Sequence, residues 1–563
     1  MMQNSKNIMS LHDSLPSILT RWLTLSVVAL CCLTVTATRC GAQDMSTGSL
    51  NVTVLDPAGA FIPGASLVLK NLGTNGIHTV TTSDTGIAVI PYLNPANYSL
   101  TVTKKGFASR QYAKVTIQTN QVTSLSVTLQ VGSTHQVVVV SAESSPILDT
   151  TSNTLETTID LKQVEDLPTY GRDVSALAFL VPGAVDDDFN NLPGGAVNMS
   201  ANGFSTMINR NKSGGFDTDY SSTSQRLEQT QEMTVETSEL DASQGGTSAM
   251  DIGFLTKSGT NKFHGDLFED YRSEDMNANS WEANAVGLPR SLIIINDFGA
   301  DIGGPILKNK LFFFASLGNY RQPEQALVTT VIGTPLALSG TYIYNNATTN
   351  AVETTNVLQV GASAGCSTCS GTTNPLIAQD LANITSTESL PGVTISPYDA
   401  NHNLLSFYNH ESIIKRFPTA RIDYDVSKNF RITGTAVESN YYYNNTGAPP
   451  YPGPLFSNQG TSDKSRNYQV VAGFDWILKP TLVNAFRLGY LYTGLVYDSQ
   501  GIETPTPAMM QQGDLAFGFN LNSGINDFLP LKGGFLYPVG SIKDQVTWSH
   551  GNHNLTFGVE DST

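Results

Sequence analysis

Few residues of this 563-residue chain stand at spacings that could do chemistry. Cys366 and Cys369 form a CSTC pair, a spacing open to a zinc half-site, a redox centre or a local disulfide. Zinc would need two more soft ligands nearby, and none follows. A thioredoxin-like motif would need a helix after it, whereas GTTNP follows. The favoured reading is a disulfide that braces a Ser/Gly/Thr-rich loop in an oxidising compartment. Asp186, Asp188 and Asn190 begin like a calcium loop. Its sixth and twelfth positions should be Gly and Glu but are Asn191 and Val197, which favours a solvated acidic turn. The eight histidines are scattered, and no HExxH, Walker loop or GxSxG occurs. Nothing supports catalysis, and neither a cofactor nor a metal is expected.

One stretch raises a different question. HQVVVVSAESSP, residues 135–146, sets four valines in a polar neighbourhood. β-Branched residues favour extended chain, yet the run is too short to cross a membrane and does not alternate as a half-buried strand would.

Composition bounds the elements that must position these residues. The chain is too long for one core, so several domains are expected. Its formal net charge is −17 with no basic stripe, which argues against a nucleic-acid partner. Charged residues make up only 14%, where soluble domains carry roughly 25%. Lys6 and Arg21 precede the apolar WLTLSVVALCCLTVTA, and Gly41-Ala42 follow, so residues 1–42 read as a cleaved export signal. No later segment is apolar for long enough to form a transmembrane helix.

Three regions follow. Residues 47–131 read as a small β-sandwich: Leu50, Val52 and Val54 alternate with polar residues, DPAG turns the chain, and Ala65, Leu67 and Leu69 form the next strand. Tyr98, Leu100 and Val102, then Leu125, Val127 and Leu129, supply later ones. Residues 148–261 are short elements between Gly- and Asn-rich turns. From 262 to 563 long strands alternate: Ile422, Tyr424 and Val426 against Arg421, Asp423 and Asp425, then Tyr468, Val470, Ala472, Phe474 and Trp476 against Asn467, Gln469 and Asp475. Tight turns at 427–429 and 479–480 contrast with long connections at about 322–418, 444–465 and 496–540. Such asymmetry, with aromatic strand ends such as LFFF at 311–314, marks outer-membrane barrels. The expected fold class is mostly β: an N-terminal β-sandwich, an α+β domain, and the N-terminal part of a transmembrane antiparallel β-barrel.

Two resemblances sharpen this. The order GSLNVTVLDPAGAFIPGASLVL…TSDTGIAVIPYLNPANYSLTVTKKGF resembles the carboxypeptidase regulatory-like domain, a transthyretin-like or carbohydrate-binding-like sandwich, which implies an accessory module without protease chemistry. Leu167-Pro168, Gly171-Arg172, Leu180 and Pro182-Gly183 are followed by NMSANGFS, QRLEQTQEMTVETSELDASQGG and TKSGTNKFHGDLF. This succession resembles the plug domain of TonB-dependent outer-membrane receptors of the Oar-like group. Where relatives carry Leu-Asp-Gly, this chain has SGGFDTDY, so the candidate plug tip at Ser213, Gly214, Gly215, Phe216 and Asp217 leaves the ligand undefined.

The resemblance gives the valine run a role. In that family a TonB box just ahead of the plug offers free amides and carbonyls to a partner sheet. Val137, Val138, Val139, Val140, Ser141 and Ala142, within a linker at 132–147, are such a candidate; a last sandwich strand or a plug strand is the alternative. The implied function is a plugged outer-membrane receptor that imports an extracellular ligand: carbohydrate, peptide or metal chelate. Its implied partners are the inner-membrane TonB complex and outer-membrane lipid. A barrel-anchored adhesion or polysaccharide-binding protein is the alternative, and a secreted hydrolase a distant third. About nine barrel strands can be read between 262 and 560, whereas plugged transporters have about 22, so further strands are expected beyond GVEDST.

Overall fold

Alternating apolar residues bury one face only by pairing with other strands, and here they do so in three successive regions. The computed structural model describes residues 47–119, 121–132, 137–140, 155–167, 169–181, 197–201, 204–205, 207–208, 220–221, 223–238, 250–365, 371–447, 451–453, 461–479, 481–499, 532–550 and 553–562.

The first region is a sandwich of β1 (Gly48–Leu55), β2 (Ser66–Asn71), β3 (Ile77–Thr81), β4 (Ile87–Leu93), β5 (Ala96–Thr103), β6 (Ser109–Ile117), β7 (Val122–Thr128) and β8 (Val137–Val140). Its two sheets run β4-β1-β7 and β3-β2-β5-β6-β8. Leu50, Val52 and Val54 share one core with Leu67, Leu69 and Leu100, as a side-chain period of two requires. The Asp56 carboxylate closes the DPAG turn by accepting from the amides of Ala58 and Ala60. Gly59 sits in that turn at φ +83°, where a side chain would be strained.

One expectation is corrected here. The valine run is not an unpaired linker segment. Val137–Val140 pairs in parallel with β6, from Ser109↔Val137 to Tyr112↔Val140. A sheet edge presents unsatisfied amides and carbonyls, and four β-branched residues suit that edge.

The second region, the inner domain, holds β9 (Leu155–Ile159), β10 (Val197–Ala201), β11 (Phe204–Ser205), β12 (Met207–Ile208), β13 (Tyr220–Ser221), β14 (Thr230–Ser238) and β15 (Met250–Thr256). Its main sheet runs β11-β10-β15-β14-β9. A helix at Leu161–Asp166, capped reciprocally by Asp160 and Gln163, packs Val164 against Ile159, Met233, Val235 and Ile252.

The third region is one antiparallel wall: β16 (Leu267–Ser273), β17 (Ile294–Leu307), β18 (Leu311–Gly333), β22 (His402–Ser427), β23 (Phe430–Gly447), β24 (Thr461–Lys479), β25 (Leu482–Ser499), β26 (Lys532–His550) and β27 (His553–Ser562). Between β18 and β22 come β19 (Thr341–Asn345), β20 (Val352–Asn356) and β21 (Thr394–Pro397), the last paired with β22. The described wall is open: β16 and β27 each have one neighbour.

Its polarity is inverted relative to a soluble sheet. Asp297, Asp301, Arg421, Asp423, Gln469 and Arg487 are buried on the inner face, while Ile302, Ile422, Ile432, Val470, Leu488 and Trp476 are exposed outside. Only lipid makes that arrangement favourable. Within LFFF, Phe312 and Phe314 point inward and are buried, so only half of that run is outward. Short turns gather at one end, after Leu307, Ser427, Lys479 and His550.

The long connections are shorter than expected, because the strands continue past the lipid belt. β18 and β22 pair all the way from Leu311↔Tyr424 to Gly333↔His402. A run of alternating residues gives no signal of where the membrane ends. Among the described residues, no helix is long and apolar enough to cross a membrane.

Candidate functional site

The inner face of the wall is polar, and the inner domain meets it with charge. Arg226 lies in the turn before β14, where its carbonyl accepts from the amides of Gln229 and Thr230. Its guanidinium donates through Nε to Glu228 Oε1 (2.7 Å), through Nη1 to the Gly171 carbonyl (2.9 Å) and through Nη2 to Asp297 Oδ1 on β17 (2.6 Å). Its flat face covers the Phe417 ring at 4.4 Å. Arg226, Glu228 and Asp297 are at most 2% exposed.

Arg172 extends the cluster to a second strand of the wall. It donates to Glu228 Oε2 (3.4 Å) and to Asp270 Oδ2 on β16 (3.1 Å), and stacks 3.7 Å over Phe268. Gly171 and Arg172 both hold positive φ, 63° and 56°. The arginine thus keeps an unfavourable backbone conformation that its contacts sustain. Gly318 of β18 is demanded by closeness: an added Cβ would meet Glu228 Oε1 at 2.3 Å.

Further bonds surround this clamp. Arg421 grips Asp423 through two bonds of 2.9 Å and donates to the Thr256 carbonyl at 2.6 Å. Thr419 Oγ1 donates to Gln229 Oε1 at 2.6 Å, and Lys257 stands 3.4 Å from Asp301. One buried oxygen, Asp297 Oδ2, has no hydrogen-bond partner. The clamp holds two bodies together by charge in a site closed to water, where losing one partner leaves the others uncompensated. It contains no nucleophile–base pair. What it does is mechanical: it ties the inner domain to the wall.

The sandwich touches both other regions by different means. The Thr119 amide and hydroxyl donate to Glu232 Oε2 on β14 at 2.9 and 2.6 Å. Burial pushes the Glu232 carboxyl above its ordinary range, and the Thr119 bonds oppose that shift. Tyr92 bonds Thr547 (2.7 Å) and receives a bond from Gln545 (2.9 Å), both on β26. Asn75 donates to Asn309, in the turn between β17 and β18, at 3.0 Å.

The residues singled out in the sequence fare unequally. Val137–Val140 form β8 on the sandwich, away from the clamp. Ser141, Ala142, the tip at Ser213–Asp217, the acidic turn at Asp186–Asn190, Cys366, Cys369 and the export signal lie outside the described residues. Among the described residues no group of three or more metal-ligating side chains occurs. Sequence reasoning missed the clamp. Its signals were present: Arg226 and Glu228 stand within the quoted QRLEQTQEMTVETSEL, and Asp297 interrupts the apolar run IIINDF.

A family model described as "Outer membrane beta barrel domain" matches residues 255–562, and one described as "Carboxypeptidase regulatory-like domain" matches residues 49–130. The chain is similar to the TonB-dependent transporter Oar of Myxococcus xanthus, 28% identical over 282 residues, covering 47% of this chain and 26% of that protein. Among solved structures it is similar to the outer membrane transporter YddB of Escherichia coli, with 11% identity, 72% of this chain, 47% of that chain and a TM-score of 0.42. It is also similar to a mutant of the ferric enterobactin receptor of Pseudomonas aeruginosa, with 11% identity, 72% and 48% coverage and a TM-score of 0.39. The chain spans about half the length of those two structures and about a quarter of the Myxococcus relative. With more than half its residues matched by the barrel model and a wall polar inside and apolar outside, the chain belongs to the outer membrane beta barrel domain family and resides in the outer membrane.

Proposed function

We propose that this chain is a TonB-dependent receptor in which the inner domain serves as a plug. Ligand binds on the side of the long connections, with the tip at Ser213–Asp217 facing it, and is imported when the plug is pulled from the wall. The single observation that carries this reading is the Arg226–Glu228–Asp297 clamp. A domain fixed permanently in a lumen is served by apolar contact, whereas a buried ion cluster gives a discrete arrangement that a pull can break as a unit. Val137–Ala142 is the candidate handle. To pair with TonB by strand addition, Val137–Val140 must first leave β6, so pairing with β6 and engagement of TonB exclude one another. The energy is the proton gradient, roughly 2.3 kcal/mol per proton for each 100 mV. Similarity to the Oar transporter supports the same reading.

The test begins with ligand pull-down and mass spectrometry to identify the cargo. Uptake of labelled cargo is then measured in cells with and without TonB, and with residues 137–142 deleted. Uptake is expected to need both, while surface binding survives the deletion. Uptake independent of TonB would overturn the proposal.

A further inference from the structure

The sandwich does not close flush on the wall. Three bonds pin the seam: Asn75 Nδ2 donates to Asn309 Oδ1 (3.0 Å), the Asn261 amide donates to the Gly73 carbonyl (2.9 Å), and the Tyr92 hydroxyl shares a 2.7 Å bond with Thr547 Oγ1. Alongside these points the two surfaces stand apart around a cavity of about 380 Å³. One side is the β2–β3 turn with His78 and Asn94 of the sandwich, and the other is the turns after β17 and β22. The volume is at the small end of ligand sites, which span roughly 300–1,000 Å³. Asn75 (φ 62°), Tyr92 (φ 54°) and Asn309 (φ 63°) all line it, three of the five non-glycine residues with positive φ among the described residues. Such conformations persist only where the surroundings over-determine them, and they gather at binding sites.

The charge of the lining does not balance. Asp425 is neutralised by Arg431 (2.6 Å) and Asp475 by Arg487 (2.7 Å). Lys310 and Lys428 are exposed and have no ion-pair partner among the described residues. The Lys310 carbonyl accepts from the Asp425 amide (2.7 Å), which sets the two lysine-bearing turns side by side. The side-chain amides of Asn94 and Asn429 make no hydrogen bond among the described residues, and Ile77, Phe430 and Ile477 add apolar surface to the same lining.

We propose that this cavity binds a carboxylate-bearing saccharide, which fastens the sandwich to the wall. Inorganic phosphate would satisfy the lysines alone, and a fatty acid would leave the amides unpaired. A sugar acid meets all three features. Its carboxylate faces the lysines, its hydroxyls both donate to and accept from the amides, and its C–H groups cover the apolar side chains. The short turns mark the periplasmic end, where the cell-wall glycan carries this chemistry. A ligand that touches both bodies stabilises the docked arrangement by mass action. The proposal rests on the placement of the short turns and not on import, so either can fail alone.

The test uses the native protein, purified from outer membranes in a non-ionic detergent. The probe is N-acetylmuramic acid, with N-acetylglucosamine as the twin that lacks the carboxylate; binding is measured by calorimetry. The acid is expected to bind at millimolar concentration or below and the twin much more weakly. Lys310→Gln with Lys428→Gln should lower affinity by about tenfold or more, and Lys310→Arg with Lys428→Arg should keep most of it. Saturating probe should also slow hydrogen exchange in both β3 and the turn at 427–429. Co-sedimentation with insoluble cell-wall glycan would assign the polymer as the source, and binding of the soluble probe alone would assign a free sugar acid. No binding of the acid, equal binding of its neutral twin, full affinity in the Gln variant, or protection of only one of the two bodies would overturn the proposal. So would acetate displacing the probe at equal concentration, since the site would then read a carboxylate without its sugar.

Discussion

The sandwich and the inner domain both lie against the strand wall, but opposite physics holds them. The sandwich is self-contained: eighteen buried apolar residues form its core, and it meets its neighbours chiefly through neutral hydrogen bonds such as those of Tyr92 and Asn75. Among the described residues, the inner domain has a core of eleven such residues and meets the wall through buried charge. A module that folds on its own can leave without losing its core. A domain that depends on ionic contact with the wall is held until several charges give way together. The same chain therefore carries one attachment suited to easy exchange and one suited to a threshold.

The sharpest way to break this contrast is at Arg226. Arg226→Ala leaves Asp297 buried without its ion-pair partner and Glu228 with only the longer contact from Arg172, and should weaken the hold of the inner domain by about 3–5 kcal/mol. Proteolysis of β14 in isolated membranes reads the effect, with the wall staying intact. Replacing all three, Arg226→Met with Glu228→Gln and Asp297→Asn, should cost less than Arg226→Ala alone, because no charge is then stranded. Equal losses would mean that the clamp contributes packing rather than charge.

In the sandwich the corresponding lesion is apolar. Leu100 is fully buried, and Leu100→Ala should cost about 2–5 kcal/mol through transfer and cavity terms. Denaturant unfolding of residues 47–131 alone measures this, and the inner domain should remain protease-resistant in the full chain. Next comes Gly318→Ala, whose methyl would meet Glu228 Oε1 at 2.3 Å. The overpacking should cost about 1–3 kcal/mol and loosen the inner domain without touching the sandwich. A wild-type protease pattern would show that the clamp can shift freely.

How much of this was legible in the sequence follows the same divide. Sandwich strands such as Leu50-Val52-Val54 and wall strands such as Tyr468 to Trp476 declare themselves, because a period of two is a local property that burial on one face enforces. The turns after Ser427 and Lys479 are legible for the same local reason. The strand extents are not: Gly333 and His402 pair in β18 and β22 because hydrogen bonding continues above the lipid, where hydropathy gives no mark. Val137–Val140 could be seen as strand-prone, but its partner was invisible, since pairing with β6 is a long-range choice. The clamp was hidden for that reason too. Arg226 and Asp297 are 71 residues apart, and a single charged residue in a strand does not name its counter-charge.

The smallest effect sharpens the comparison by pH. His78 on β3 faces a cavity of about 380 Å³ between the sandwich and the short turns, with Asp425, Arg431, Asp475, Lys310 and Lys428 around it. Burial, and then Arg431, lower its pKa below the ordinary 6.5, while Asp425 pulls it back. The docked state thus prefers neutral His78. That contribution is complete above about pH 6.5 and is lost as pH falls through it toward the lowered value. Glu232 acts in the opposite sense: its raised pKa favours the protonated form, so its contribution is complete below its ordinary value and is lost as pH rises through the raised one. Hydrogen exchange of β2 and β3 in the membrane-bound chain, followed from pH 8 to pH 5, should therefore show the sandwich loosening below about pH 6.5. His78→Gln should flatten that response, and Glu232→Gln should leave its midpoint in place. An unchanged midpoint in the His78 variant would assign the pH response to another titrating group.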